Sequence, residues 1–488
     1  MVFNSFAFLI FFPVVAAVYY LLPLKGRNVW LLVASYFFYM YWSPVYGLLL
    51  LYSTAASYAG GIAISRAKTS AAKKTSLAIC LIMCFSPLIY YKYANFIMGS
   101  VNDLFLDIGA IAPFNIHEII LPIGISFFTF QAVGYVIDVY RNDTAAEKDF
   151  IKFALFVSFF PQLVAGPIER SRNLLGQFDK KASFDYDNTR DGIWLILKGF
   201  FMKVVIADRI ALFVDFVYSD TYTYGGVYLI IASVLFALQI YCDFAGYSTI
   251  AVGTAQILGI RLMDNFSSPY LSVSVSEFWR RWHISLTTWF RDYVYIPLGG
   301  NRKGKIREYV NKLFVFTLSG MWHGADWSFA VWGALNGLWL VLEQILGRIF
   351  RFKFVRTQKP AALIRVICAV ITFILVDITW IFFRADSVSD ALYVIGDIAH
   401  TSNWNVLFDG SVFKCGLDAA NFLFLILMIF TLFVMDALSK RGIMLRKKTA
   451  GLGMFARSAL MAAAIAFIML FGIWGKAYEA EAFIYFQF

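Results

Sequence analysis

Residues 276–304 read SEFWRRWHISLTTWFRDYVYIPLGGNRKG, and beyond an apolar run the chain continues SGMWHGADW over residues 319–327. Two of the four histidines, His283 and His323, lie in this stretch, and each directly follows a tryptophan. His323 closes a run without charge from Leu313 to Met321. Because an ionisable side chain is costly in lipid, a histidine at the end of such a run is a candidate for function.

The chain on both sides of this stretch is strongly apolar. Of its 488 residues, 60% are hydrophobic, whereas a soluble domain has roughly 45–50%. A membrane span needs about 20 apolar residues, so we predict an all-α polytopic membrane protein with one integral-membrane domain over residues 1–488. The predicted spans cover residues 6–24, 29–41, 46–64, 77–91, 121–140, 193–217, 227–240, 329–345, 363–383, 422–434 and 460–473.

The formal net charge of +11 comes mostly from short basic loops between the apolar runs. This distribution is typical of cytoplasmic loops and excludes a nucleic-acid-binding protein. The basic loops 66–74 and 440–448 are therefore predicted to be cytosolic, and the aspartate-rich stretch 386–418 external. The N-terminus is then extracytoplasmic. No cysteine–histidine spacing suggests a metal site.

Some of the runs do not favour a regular span. The run Leu121–Tyr140 contains Gly124 in its first turn, which predicts that the helix starts irregularly. Ile151–Pro167 has basic residues at both ends and internal helix breakers, which favours a re-entrant hairpin over a full crossing. The run beginning at Leu77 is expected to end at Lys92.

Residues 277–293 place apolar side chains at helical i, i+3, i+4 spacing and predict one amphipathic helix at the cytoplasmic interface. Arg280 and Arg281 are expected to face water on this helix. Arg302 and Lys303 follow in a tight turn. All four cations are candidates for holding donor phosphates, although contact with lipid headgroups explains them equally well.

Each remaining candidate has a functional and a structural interpretation. His323 is either a general base, kept neutral by burial, or a core histidine bonded to a backbone carbonyl. Asp326, three residues later, either orients that ring or caps a helix. His283 either lines a cytosolic donor entrance or anchors in the interface. Asp243 is either a catalytic orienter or, as the sequence favours, a structural partner of an arginine.

The long tryptophan-rich motif at residues 276–302, MWHGADW at 321–327, DFAGYS at 243–248 and FIYFQF at 483–488 resemble the membrane-bound O-acyltransferases. The likeness is to the bacterial branch that acylates cell-envelope polysaccharides. It implies a bundle of many helices around a central funnel, with re-entrant and interfacial helices. The family's catalytic histidine maps onto His323 and its second motif histidine onto His283. Where the branch usually has asparagine, this chain has Asp326.

The resemblance further implies an inner-membrane O-acetyltransferase that takes acetyl from cytosolic acetyl-CoA and uses no bound cofactor or metal. The acceptor would be an extracytoplasmic polysaccharide, reached directly or through an SGNH-hydrolase-like partner protein outside the membrane. D-alanyl transfer to teichoic acid is an alternative acyl chemistry. A transporter, or a scaffold without covalent chemistry, is the alternative from another class.

Overall fold

The computed structural model describes residues 1–117, 119–180, 183–349 and 362–474, which form helices and loops and contain no strand. In chain order the α-helices are α1 Phe6–Leu21, α2 Leu24–Met40, α3 Pro44–Arg66, α4 Ser70–Leu88, α5 Ala94–Asp107, α6 Ile125–Arg141, α7 Phe150–Ser158, α8 Phe160–Leu163, α9 Ser171–Leu174, α10 Tyr186–Phe200, α11 Asp208–Tyr218, α12 Val227–Ile257, α13 Val275–Trp279, α14 Ile284–Phe290, α15 Lys305–His323, α16 Trp327–Ile349, α17 Ala362–Arg384, α18 Val388–Ala399, α19 Ala419–Lys440, α20 Leu445–Ala450 and α21 Met454–Phe471.

Within the described residues, seven helices are long and apolar enough to cross a membrane. They are α3, the continuous helix that contains α4 and α5, α12, α16, α17, α19 and α21. The prediction of an all-α polytopic membrane protein is confirmed. The basic residues between positions 351 and 359 and the aromatic stretch at 483–488 lie outside the described residues.

Lys92 does not end its helix, contrary to the expectation from sequence. The helix continues from α4 through a π-helical segment, Ile89–Tyr93, into α5. A charged side chain leaves the backbone hydrogen bonds of a helix intact, and a long lysine stem can carry its ammonium group away from apolar surroundings. Lys92 therefore lies within a continuous helix and does not mark its end.

The start of α6 is irregular, as predicted. Gly124 precedes the helix in the left-handed region at φ 78°, a conformation that glycine adopts without a steric penalty. A Cβ at this position would lie 2.9 Å from the carbonyl oxygen of Leu163, so the close approach of the two segments also requires glycine.

The segment predicted as a re-entrant hairpin consists of short helices, α7 and α8, neither of which could span a bilayer. All residues from 153 to 171 are buried, which agrees with the hairpin interpretation because broken backbone at membrane depth must be covered by protein. Side chains bind part of its backbone. The carbonyl oxygen of Phe156 accepts from Gln131 Nε2 at 2.5 Å and from Gln162 Nε2 at 3.0 Å, and the Phe160 N–H donates to Ser35 Oγ at 3.1 Å.

The contacts of the chain define two compact units, which are described separately. The first consists of residues 1–193 and 251–263, and the second of residues 194–250 and 264–488. Every candidate site residue predicted from the sequence belongs to the second unit. Within that unit, a π-helical segment, Phe201–Ala207, joins α10 to α11 and carries the buried Lys203.

Candidate active site

His323 is the last residue of α15, and the close packing of α15 against α16 fixes its place. After His323 the chain turns at Gly324, in extended conformation, and α16 begins at Trp327. A Cβ on Gly320 would overlap the carbonyl oxygen of Phe329 and lie 3.0 Å from Cα of Gly333. Small residues allow two membrane helices to approach this closely. The turn that carries His323 is thus held by backbone contact between the helices.

Aromatic rings surround the His323 imidazole, which is only 3% exposed. The ring centroid lies 4.9 Å from that of Trp322, 5.0 Å from Trp332 and 5.7 Å from Phe383. The planes of Trp332 and His323 are nearly perpendicular, at 84°. Such walls exclude water from the ring.

Asp326 caps a helix. Its Oδ1 accepts the N–H of Ser328 at 2.7 Å, at the first turn of α16. Asp326 does not share a helical face with His323, because α15 ends at His323 and Gly324 is extended. The structure therefore shows Asp326 as a helix cap.

The predicted single amphipathic helix over residues 277–293 is also wrong. Two short helices, α13 and α14, replace it, and His283 separates them in the left-handed conformation at φ 42°, ψ 54°. A π-helical segment, Arg291–Tyr295, follows α14. The apolar spacing fits a helix, but hydrogen bonds to a distant loop hold residues 281–285 in another conformation. The indoles of the motif are buried in the protein and do not lie on a lipid-facing stripe.

His283 lies in the interior of the protein, since it is 1% exposed. Its ring centroid lies 4.7 Å from that of Phe244 and 5.9 Å from that of Trp322. The centroids of His283 and His323 are 6.1 Å apart. Burial lowers the pKa of His283, which is outside the seven candidate spans, to about 3, so the ring is neutral at physiological pH.

Asn265 is a site residue that the sequence did not reveal. It is 2% exposed, and its Oδ1 accepts from the Ser285 N–H at 3.2 Å, from Ser285 Oγ at 2.9 Å and from His283 Nδ1 at 3.1 Å. A lone asparagine in a loop has no periodic signal. Only the tertiary pairing of its loop with residues 281–285 brings it to the histidine.

Asp243 belongs to a buried ionic cluster. Lys203 Nζ lies 2.5 Å from Asp243 Oδ1 and 2.9 Å from Asp208 Oδ1, and all three side chains are almost fully buried. The partner is thus a lysine and not the arginine that the sequence suggested. Phe244, the next residue on α12, is the ring that contacts His283. α12 therefore connects the ionic cluster to the histidine pair.

The four candidate cations differ in how strongly they are tied to the protein. Arg281 makes a 2.8 Å ion pair with Glu277 and donates to the carbonyl oxygen of Ser267 at 3.0 Å. Arg280 is exposed, and Arg302 and Lys303 are exposed in the turn before α15. Exposed cations next to the motif remain able to meet a phosphate, whereas both histidines are buried.

Comparison with known proteins shows which family and which relatives the chain is similar to. The family model of membrane-bound O-acyltransferases matches residues 145–383, which include both histidines. A probable alginate O-acetylase of Azotobacter vinelandii is 40% identical over 412 residues, 83% of this chain and 79% of that protein. A peptidoglycan O-acetyltransferase of Helicobacter pylori is 34% identical over 427 residues, 81% of this chain and 79% of that protein. A teichoic acid D-alanyltransferase of Bacillus subtilis is 29% identical over 238 residues, 46% of this chain and 58% of that protein.

Proposed function

Because the chain belongs to the membrane-bound O-acyltransferase family, we propose that it transfers acetyl from cytosolic acetyl-CoA for the O-acetylation of an extracytoplasmic polysaccharide. Relatives named for alginate and peptidoglycan acetylation match about four-fifths of the chain. A relative named for D-alanyl transfer matches less than half of it, which favours acetyl over D-alanyl as the acyl group.

The observation that carries the proposal is the buried histidine pair. His323 and His283 have ring centroids 6.1 Å apart, both are almost fully buried, and aromatic rings enclose them. Membrane proteins rarely bury two ionisable rings side by side without a chemical use for them. The same aromatic walls would keep water from the acyl donor, so that the thioester is transferred and not hydrolysed.

In this mechanism His323 is the general base. A neutral imidazole nitrogen takes the proton of the acceptor hydroxyl as its oxygen attacks the thioester carbonyl carbon. The carbon–sulfur bond then breaks, and the proton passes to the departing thiolate. The acceptor hydroxyl belongs either to the polysaccharide or to a serine of an SGNH-hydrolase-like partner outside the membrane, which would complete the transfer. The donor approaches from the cytosolic side.

The test is transfer of labelled acetyl by purified protein in proteoliposomes. General-base assistance contributes about 10²–10⁴-fold, so His323→Ala should remove most transfer while leaving the thermal unfolding temperature within a few degrees. His323→Gln should be equally inactive, because an amide cannot accept the proton. The exposed His400 provides a matched control, and His400→Ala should transfer acetyl like the wild type.

Two results would contradict the mechanism. A stable His323→Ala variant with activity within a few-fold of wild type would favour a scaffold that only recruits the partner enzyme. Wild-type protein that leaves labelled acetyl-CoA intact in the presence of acceptor and partner would favour a transporter.

Donor binding is tested separately through the exposed cations. If Arg280 contacts the donor phosphates, Arg280→Glu should raise the KM for acetyl-CoA without a matching change in kcat. The exposed Arg307 on α15 offers a control of equal charge change, and Arg307→Glu should leave that KM unaltered. Equal KM values in the two variants would assign Arg280 to lipid contact.

A further inference from the structure

The loop that contains Asn265 is bonded to the histidine segment through both its backbone and its side chain. The loop runs beside residues 281–285: the Ser267 N–H donates to the carbonyl oxygen of Arg281 at 3.0 Å, and the Ile284 N–H donates to the carbonyl oxygen of Asn265 at 2.9 Å. Between these backbone bonds, the Asn265 side chain reaches Ser285 and His283. The loop thus holds both sides of the histidine.

The chemistry of the partners decides which atom of the amide faces them. A backbone N–H can only donate, and the Ser285 N–H points at the Oδ1 position of Asn265 at 3.2 Å. That atom must therefore be the oxygen. The same oxygen lies 3.1 Å from His283 Nδ1, and an amide oxygen can only accept. His283 Nδ1 must carry a hydrogen.

The hydrogen bond at Nδ1 also fixes the state of the other ring nitrogen of His283. Burial keeps the ring neutral, so it has one ring hydrogen, and Asn265 requires that hydrogen on Nδ1. Nε2 then has the lone pair. In a neutral imidazole the hydrogen bond at one nitrogen fixes the state of the other.

Backbone conformation makes the arrangement specific to this position. His283 has φ 42°, in the left-handed region that only a few per cent of residues other than glycine adopt. Such a conformation persists where the surroundings over-determine it, and strained residues of this kind cluster at active sites. Here the bonds from the Asn265 loop at residues 281, 284 and 285 hold the strained backbone, and the side-chain bond at His283 holds the ring.

We infer that Asn265 is a positioning residue for acyl transfer, which fixes His283 as the Nδ1–H tautomer and presents Nε2 as a proton acceptor beside His323. The inference rests on the proposed function for its catalytic meaning, but the tautomer follows from the hydrogen bonds alone. Two charged residues near this segment form ion pairs with other side chains: Asp243 pairs with Lys203, and Arg281 pairs with Glu277.

The first test measures the tautomer and needs no activity. Nitrogen NMR of protein labelled with ¹⁵N-histidine should show one neutral ring with hydrogen on Nδ1 from pH 8 down to pH 5, and that signal should disappear in His283→Gln. If the signal that His283→Gln removes belonged to the Nε2–H tautomer, or titrated near pH 6.5, the inference would be overturned.

The second test uses two substitutions with opposite electrostatics. Asn265→Asp keeps an oxygen acceptor for Ser285 and His283 but adds a negative charge, which stabilises the imidazolium and raises the pKa of His283. Its kcat should stay within a few-fold of wild type at pH 9 and fall at least tenfold towards pH 6. Asn265→Leu removes the acceptor, and its kcat should fall at least tenfold at every pH, with the KM for acetyl-CoA nearly unchanged.

A residue that acts through another gives effects that are not additive. In a His283→Gln background, Asn265→Leu should therefore cause little further loss of kcat. Additive losses, or a wild-type pH profile for Asn265→Asp, would reduce Asn265 to a structural residue. If no variant and no wild-type protein transferred acetyl, the proposed function would fail, whereas the NMR result would still decide the tautomer.

Discussion

Gly320 of α15 and Gly333 of α16 lie in contact where their helices cross, so that a Cβ on Gly320 would be 3.0 Å from Cα of Gly333. A Cβ on Gly333 would in turn overlap the carbonyl oxygen of Phe316. Neither overlap can be relieved by rotating a side chain, because the opposing atoms belong to the backbone. The separation of the two helices, and with it the position of His323, depends on the absence of a Cβ at both glycines.

Gly320→Ala and Gly333→Ala should each destabilise the protein by about 1–3 kcal/mol and reduce acetyl transfer, because overpacking shifts the backbone that carries His323. Gly347→Ala provides a matched control near the end of α16, where a Cβ would meet nothing within 4 Å. Thermal unfolding in detergent and transfer assays would check this. Equal stability of all three variants would show that the crossing tolerates expansion.

The buried His283 should make the protein sensitive to acid. The unfolded chain protonates this ring near pH 6.5, whereas the folded chain does so only near pH 3. The stability gained by keeping the ring neutral is therefore fully present above pH 6.5 and is lost as the pH falls towards 3. Between pH 7 and pH 5 the loss is about 2 kcal/mol for this group.

His283→Gln should accordingly lose less stability than wild type over the same interval, because glutamine does not titrate and can still donate to Asn265. Unfolding temperatures measured at pH 7 and pH 5 for both proteins give the comparison. Parallel losses in the two proteins would mean that another group causes the acid sensitivity.

Removal of Lys203 should be severely destabilising. Lys203→Met leaves Asp208 and Asp243 buried without their shared cation, and breaking a buried ion pair costs about 3–5 kcal/mol. The triple variant Lys203→Met, Asp208→Asn, Asp243→Asn removes the charges together and should recover most of the loss. A single variant as stable as wild type would contradict the assignment of this cluster as a structural ion network.

Topology is tested by cysteine labelling. In a background without the five native cysteines, Ser70→Cys should be modified only after the membrane is made permeable, and Ser389→Cys should be modified from outside in intact cells. Both serines are exposed, so access to reagent reports the side of the membrane. External labelling of Ser70→Cys would invert the predicted orientation.

Much of the fold follows from patterns that are local in the sequence. Long apolar runs predict spans because the bilayer fixes the length of a helix, and basic residues at both ends of residues 151–167 indicated a hairpin before its burial was known. Gly124 marked the irregular start of α6. The tryptophan–histidine pairs at 282–283 and 322–323 indicated candidate residues, and the structure brings the two histidine rings together.

The remaining features depend on contacts between distant residues. The spacing of apolar residues in 277–293 satisfies a helix, and only the bonds from the Asn265 loop break it at His283. Asp243 could be recognised as a buried charge, but its lysine partner lies on another helix. The local sequence around Asp326 fits a residue that orients a ring as well as one that caps a helix. The bond that its Oδ1 accepts from the Ser328 N–H became visible only in the structure.

The π-helical segment at 201–207 has a consequence for how the chain tolerates changes in length. A π-helical turn holds one residue more than an ordinary helical turn, so deletion of one residue from this segment would restore ordinary helical bonding without turning the helix that follows. Deletion of one residue from the regular helix α11 would instead rotate everything after it by about 100° and break the bond from Arg209 to the carbonyl oxygen of Phe471. The chain should therefore tolerate the loss of one residue here and not in α11, provided that Lys203 and its bonds to Asp208 and Asp243 are kept.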